Sequence, residues 1–82
     1  MSEQYIEILK VLLPYYKIAI TDDGRGTVAR AVALAMIKAF INNTDAPLAT
    51  KIKVMDFDVA GSVAIHKSIY NWLEEFSKGN TQ

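Results

Sequence analysis

The segment Thr27–Asn42 (TVARAVALAMIKAFIN) constrains the fold of this chain more than any other part of it. Its spacing predicts an α-helix, and at 100° per residue its apolar side chains fill an arc of about 200°. The members of this arc are Val28, Ala29, Val32, Ala33, Ala35, Met36, Ile37 and Phe40. A helix that covers a single core needs an apolar stripe of only about 100°. We therefore expect this helix to be either the central element of a bundle or part of a subunit interface.

Helical spacing also recurs at both ends of the chain. Ser2–Leu13 forms one amphipathic pattern, which Pro14 is expected to end or kink. A further helix is expected to start near Pro47, and the last helix is expected after Asp58 as its cap. The apolar stripe of that last helix consists of Ile65, Ile69, Trp72, Leu73 and Phe76. These segments together predict four helices joined by short polar turns.

Two short segments, 17–21 and 51–55, fit a strand as well as a helix, because periodicity does not decide the type of so short a run. The favoured fold is all-α, a small irregular antiparallel bundle of about four helices in a single domain, 1–82. The alternative is an α/β fold in which 17–21 and 51–55 are parallel strands and the long helix is a right-handed crossover. Two strands alone make a poor sheet, which favours the bundle.

Composition limits how such a chain is stabilised. Its 82 residues are 51% hydrophobic and include no cysteine, so disulfides and thiolate zinc sites are excluded. A core of this size is marginal without reinforcement, and exposed apolar surface on a small monomer reduces solubility. We therefore expect the protein to be a homo-oligomer.

Charge and hydropathy narrow the class of partner. Nine basic and nine acidic residues cancel, which disfavours binding to nucleic acid. Glu3 and Glu7 lie where a signal peptide would be basic. The longest uncharged apolar run, Ala31–Ile37, is far shorter than the roughly 20 residues of a membrane span. A cytoplasmic protein with no membrane association is expected.

The loop before the long helix is the strongest candidate for ligand chemistry. Its glycines allow close backbone approach, and a helix N-terminus attracts anions. The candidate anion-binding residues are Gly24, Arg25, Gly26, Thr27 and Arg30. The loop matches neither the Walker pattern nor GxGxxG, and Asp22 and Asp23 would repel an anion. A solvated turn with a helix cap is favoured, and a phosphate or nucleotide site is the alternative.

The remaining candidates for chemistry have simpler structural explanations. Asp56 and Asp58 match no metal-binding loop and favour the positive end of the last helix, so no metal site is predicted. His66 has no evident catalytic partner and is expected at the margin of the core, bonded to a backbone carbonyl or a tyrosine hydroxyl. We predict no cofactor and no enzymatic activity.

These observations favour a small, non-enzymatic helical interaction or regulatory protein that self-associates and binds a protein partner. Immunity-type proteins and phage or plasmid accessory factors share this profile, which is an analogy of class only. The residues expected to make contacts are Tyr15, Tyr16, Arg30, Leu34 and Lys38. Tyr15 and Tyr16 are expected to be partly exposed, and Leu34→Glu is expected to separate subunits without unfolding them.

Overall fold

The computed structural model describes residues 4–21 and 26–78. These residues form four α-helices and, within these ranges, no strand. The helices are α1 (Gln4–Thr21), α2 (Gly26–Asn42), α3 (Leu48–Met55) and α4 (Val63–Ser77). The predicted all-α bundle is confirmed. The strand alternative is wrong, because 17–21 is the end of α1 and 51–55 is most of α3.

Helix α1 lies between α2 and α4 and packs against both. Its buried residues Leu9, Leu13, Tyr16 and Ile20 repeat at intervals of four and three, which places them on one face. At one end of the helix the Tyr5 ring stacks on Phe76, with centroids 5.6 Å apart, and at the other end Tyr16 contacts His66. The two contacts show that α1 and α4 run antiparallel.

Pro14 lies inside α1, so the expected end of the helix at Leu13 is wrong. Proline removes the N–H that would bond to the carbonyl of Lys10. Both Pro14 and Lys10 are exposed, which leaves that carbonyl open to water. Core packing of Leu9 and Leu13 before the proline, and of Tyr16 after it, holds the helix together across the missing bond.

Helix α2 contacts all three other helices, but only one side of it is buried. That side carries Leu34, Ile37 and Ile41, whose side chains are at most 1% exposed. The wide apolar arc of α2 largely faces away from the core. The other described helices therefore do not cover the apolar arc of α2, and the alternative, that this helix is part of a subunit interface, stays a prediction.

The polar turns around α3 fix where α3 and α4 begin. Thr44 donates its hydroxyl to the Ile41 carbonyl and accepts from the Ala46 N–H, and α3 starts just after Pro47, as expected. The cap of α4 is Ser62, whose hydroxyl accepts from the Ile65 N–H at 3.3 Å. The predicted cap, Asp58, instead accepts from the Ala60 N–H within the preceding turn.

A row of aromatic rings closes one end of the bundle. It runs from Tyr5 to Phe76, then to the parallel ring of Trp72 at 5.4 Å and on to Phe57 at 5.8 Å. The Lys53 ammonium lies 5.6 Å above the Trp72 ring. These contacts connect α1, α3, α4 and the turn between α3 and α4, so α3 is held to the bundle from two sides.

Candidate functional site

The largest exposed apolar surface of the described residues extends across α1 and α2. Its members are between 45% and 74% exposed, although each is a large hydrophobic or aromatic side chain. They are Val11, Tyr15 and Ile18 on α1, and Val28, Val32, Met36 and Phe40 on α2. We call this surface the α1–α2 face. Scattered single apolar residues are normal on a protein surface, whereas a contiguous set of seven requires an explanation.

Two shallow grooves run between α1 and α2 along this face. One, of about 670 Å³, is floored by the small residues Ala19, Ala29 and Ala33, with Tyr15 and Met36 among its other lining residues. The second, of about 290 Å³, continues along the face between Val11 on α1 and Phe40 on α2. The early part of α1 thus meets the late part of α2, so the two helices are antiparallel. The grooves make the face a ridged surface suited to side chains of another helix.

The α1–α2 face is almost free of charge. Among the described residues that line the two grooves, only Glu7 is charged, and it lies at the end of the smaller groove. The two charged residues of α2, Arg30 and Lys38, are half-buried on the side of the helix that approaches the core. Any molecule that covers this face is therefore recognised by shape and apolar area rather than by charge.

The predicted contact residues have different environments in the structure. Tyr15 is 68% exposed, as expected, and lies on the α1–α2 face. Tyr16 and Leu34 are fully buried, which corrects the expectation of exposure for both. Leu34 lies among the core side chains, so Leu34→Glu would bury a charge within the protomer and unfold it. Neither residue offers surface to a partner.

Arg30 and Lys38 also interact with other residues of the same protomer. The Lys38 ammonium donates to the Phe57 carbonyl at 2.6 Å, which joins α2 to the turn before α4. The Nε of Arg30 is buried and has no hydrogen-bond partner among the described residues. The Arg30 charge acts on Tyr16 and His66, so its guanidinium lies near a buried polar pair.

That pair joins α1 to α4 through the single histidine of the chain. The Tyr16 hydroxyl lies 2.7 Å from Nδ1 of His66, and Nε2 of His66 lies 3.0 Å from the Val59 carbonyl. A carbonyl only accepts, so Nε2 carries the proton and Nδ1 accepts from the tyrosine. His66 is fully buried and not at the margin of the core as expected, and its two nitrogens bond to partners of the two expected kinds, a tyrosine hydroxyl and a backbone carbonyl.

Electrostatics favour the neutral form of both groups. Burial lowers the pKa of His66, and the Arg30 charge lowers it further, against the opposing effects of the Val59 hydrogen bond and the Asp58 charge. Burial raises the pKa of the Tyr16 hydroxyl well above its ordinary value despite Arg30. Tyr16 therefore remains a proton donor and His66 an acceptor at neutral pH, which describes a structural link and not a general base open to substrate.

The predicted anion-binding loop is only partly described. Gly24 and Arg25 lie outside the described residues, as do Asp22 and Asp23. Gly26 begins α2 with a φ of +77°, and Thr27 is exposed. The phosphate or nucleotide site therefore stays a prediction. Among residues 4–21 and 26–78, no three histidine, aspartate or glutamate side chains converge as a metal site would require.

A smaller apolar patch lies on the outer side of α3. Leu48, Ile52 and Met55 are each more than half exposed and follow one another at helical spacing. Lys51 and Lys53 lie beside them. The patch is confined to an eight-residue helix, so it presents far less apolar area than the α1–α2 face.

Sequence reasoning indicated five of the seven residues of the α1–α2 face but did not show that they form one surface. The apolar arc on α2 included Val28, Val32, Met36 and Phe40, but it did not show which part of the arc faces the core. On α1, Val11 was not singled out within the amphipathic pattern of Ser2–Leu13, and Ile18 lies in segment 17–21, which fitted a strand as well as a helix.

In the comparisons with known proteins, no family model, no curated protein and no solved structure matches this chain. Within the described part of the chain, none of the helices combines the length and the apolar character needed to cross a bilayer.

Proposed function

We propose that this protein is a non-enzymatic helical interaction protein that acts by binding another polypeptide through the α1–α2 face. One observation carries the proposal: seven large apolar side chains lie exposed and contiguous on two helices. Their combined exposed area is on the order of 700 Å², judged from the size of such side chains. The largest apolar patch of a typical monomer is about 300–600 Å² and is itself often functional.

The form of the face favours a protein as its ligand. Pockets for small molecules enclose most of the ligand and place a few polar groups around it, whereas these grooves are open and almost wholly apolar. Binding to nucleic acid depends on lysine and arginine, and the face itself carries neither. Amphipathic helices that lie in grooves use apolar side chains at the spacing seen along both of these helices.

The environment of His66 supports the non-enzymatic part of the proposal. A general base must reach the proton it removes, and this imidazole is fully buried and bonded at both nitrogens. Among residues 4–21 and 26–78, Tyr16 is the one side chain that bonds to it; burial raises the pKa of Tyr16, and Tyr16 is equally inaccessible. The pair holds α1 against α4, next to the face that we propose binds the partner.

Site-specific photo-crosslinking tests the proposal. p-Benzoylphenylalanine replaces Tyr15 on the α1–α2 face, and in a control protein it replaces Lys67, an exposed residue of α4. The proteins are made and irradiated in cells of the source organism. We expect covalent polypeptide adducts from position 15 and none from position 67. Failure to form any polypeptide adduct at position 15, including one with the same chain, would contradict the proposed function.

A further inference from the structure

We propose that the occupant of the α1–α2 face is a second copy of this chain, bound about a two-fold axis. This inference rests on the proposed function and names its partner. In such an isologous dimer the same face of each protomer is buried, so α1 and α2 of one copy pack on α1 and α2 of the other. The result is a layer of four helices in which the exposed side chains form a second core.

The exposed area matches what a stable dimer needs. Each partner in a standard interface contributes about 800 Å². The seven side chains of the face, with the half-buried Ile8, Leu12 and Ala33 between them, supply on the order of 700–800 Å². Homodimer interfaces are more apolar than other protein surfaces, and so is this face. The α3 patch, with three apolar residues on a short helix, falls well below that size.

The absence of charge on the face favours an identical partner. A two-fold axis brings equivalent parts of the same surface together, so charged residues near the axis would meet their own kind. The larger groove has no charged lining residue among those described, and Glu7 lies at the end of the smaller one. Two uncharged faces meet without unpaired charge, whereas a partner recognised through charge would find nothing here to pair with.

The relief of the face combines small side chains with large ones. Alanines floor the larger groove, while Tyr15 and Ile18 rise on one side of it and Val32 and Met36 on the other. Ridges of side chains beside grooves of small residues are what a second pair of helices needs in order to interdigitate. Met36 lines the groove from the middle of α2, so in the dimer it lies near the centre of the interface.

Matched glutamate substitutions test the dimer. Met36→Glu places a charge at the centre of the face, and Met55→Glu makes the same change at a methionine of similar exposure on α3. By light scattering after gel filtration, we expect the wild type and Met55→Glu at twice the 9.1 kDa chain mass. Met36→Glu should be a folded 9.1 kDa monomer, with its dimer affinity lowered roughly 100-fold or more.

Two results would overturn the inference: a wild type that stays at 9.1 kDa at every concentration up to about 1 mM, or a Met36→Glu protein that stays at twice that mass. If Met36→Glu loses its helical circular dichroism, Tyr15→Glu replaces it, since Tyr15 is 68% exposed and its loss leaves the core intact. The same two outcomes then apply to that variant.

The photo-crosslinking experiment at position 15 separates failure of this inference from failure of the proposed function. An adduct with the mass of two chains supports the dimer. Adducts that contain only other polypeptides, with a monomeric wild type, overturn the dimer and leave the proposed function standing. No adduct at all contradicts both.

Discussion

In the buried pair of Tyr16 and His66, two single residues link α1 to α4. The sequence predicted the character of His66, because one histidine without a catalytic partner on an apolar helix belongs to the core. It did not predict Tyr16 as the partner, since the two residues are 50 positions apart and meet only when α1 packs on α4. Tyr15 and Tyr16 are adjacent in sequence, and the helix turns one outward and the other inward.

Removing the Tyr16 hydroxyl should weaken the fold measurably. Tyr16→Phe leaves Nδ1 of His66 buried without its donor, and an unsatisfied buried group costs about 1–3 kcal/mol. We expect the free energy of unfolding in urea to fall by that amount. Tyr15→Phe removes an exposed hydroxyl from the neighbouring residue and should change it by less than about 0.5 kcal/mol. Equal effects of the two substitutions would contradict the buried link.

His66 should make the fold sensitive to acid. Its pKa is lowered in the folded protein, chiefly by burial, so the unfolded chain binds a proton first as the pH falls. The contribution of the neutral His66 to the free energy of unfolding is therefore fully present above the ordinary histidine pKa of about 6.5 and is lost progressively below it. Between pH 6.5 and pH 5, the free energy of unfolding should decrease by up to about 1.4 kcal/mol per pH unit from this group.

The control for this pH dependence is His66→Gln, which retains an N–H for the Val59 carbonyl but does not titrate. Urea unfolding at a series of pH values should show a flatter profile for this variant between pH 6.5 and 5. The nearby charges, Arg30 and Asp58, are unchanged in it. Parallel profiles for the two proteins would show that His66 does not cause the loss of stability.

At the level of elements, the sequence predicted where helices occur better than where they end. The polar turns and the spacing of apolar residues predicted four helices, because both signals are local, but they did not decide between helix and strand for 17–21 and 51–55. The error at Pro14 arose because a local rule for proline was applied where tertiary packing decides. The preference of proline against helix was outweighed by Leu9, Leu13 and Tyr16, which are packed on both sides of it.

Pro14 should therefore destabilise α1 relative to an alanine at the same position. A proline in a helix interior costs about 3 kcal/mol relative to alanine, reduced by its effect on the unfolded chain. Since Pro14 is exposed, Pro14→Ala restores the helical hydrogen bond without disturbing the core. We expect the free energy of unfolding to rise by about 1–2 kcal/mol in urea titrations.

The matched control for this prediction is Pro47→Ala. Pro47 is exposed and precedes α3, so no interior hydrogen bond of a helix is at stake there. Its substitution should change the free energy of unfolding by no more than about 0.5 kcal/mol. If Pro14→Ala is neutral or destabilising while Pro47→Ala behaves as expected, the missing hydrogen bond to the Lys10 carbonyl does not destabilise α1 as we infer.

Helix α2 shows that the apolar pattern of one helix does not by itself predict which side of the helix faces the core. The width of its apolar arc was evident from the sequence, but the core side of the helix was not. The core side carries Leu34 and Ile41, which lie outside the predicted apolar arc, and the centre of the arc faces outward. An arc wider than one core requires leaves the rotation of the helix undetermined, and only the positions of α1, α3 and α4 fix it.

At the scale of the whole molecule, the α1–α2 face exists only because two helices are brought side by side. Val11 and Ile18 are separated from Val32 and Met36 by a turn of the chain, and neither set is large enough alone to indicate a binding surface. The sequence supplied two arguments for association, the small size of the chain and its hydrophobic content, and association itself stays a prediction. The location of the α1–α2 face could not be predicted from the sequence, because it depends on the packing of α1 against α2.

A dimer formed through this face couples stability to concentration. If two folded chains associate and unfolded chains do not, a tenfold rise in concentration adds about 1.4 kcal/mol per dimer, which is about 0.7 kcal/mol per chain. For a domain of this size, 1 kcal/mol corresponds to about 4–8 °C in Tm. The Tm of the wild type should therefore rise by roughly 3–5 °C for each tenfold increase in concentration. Met36→Glu should melt at a Tm independent of concentration, while Met55→Glu should follow the wild type. A wild-type Tm that does not change with concentration would mean that the protomer is stable without its partner copy.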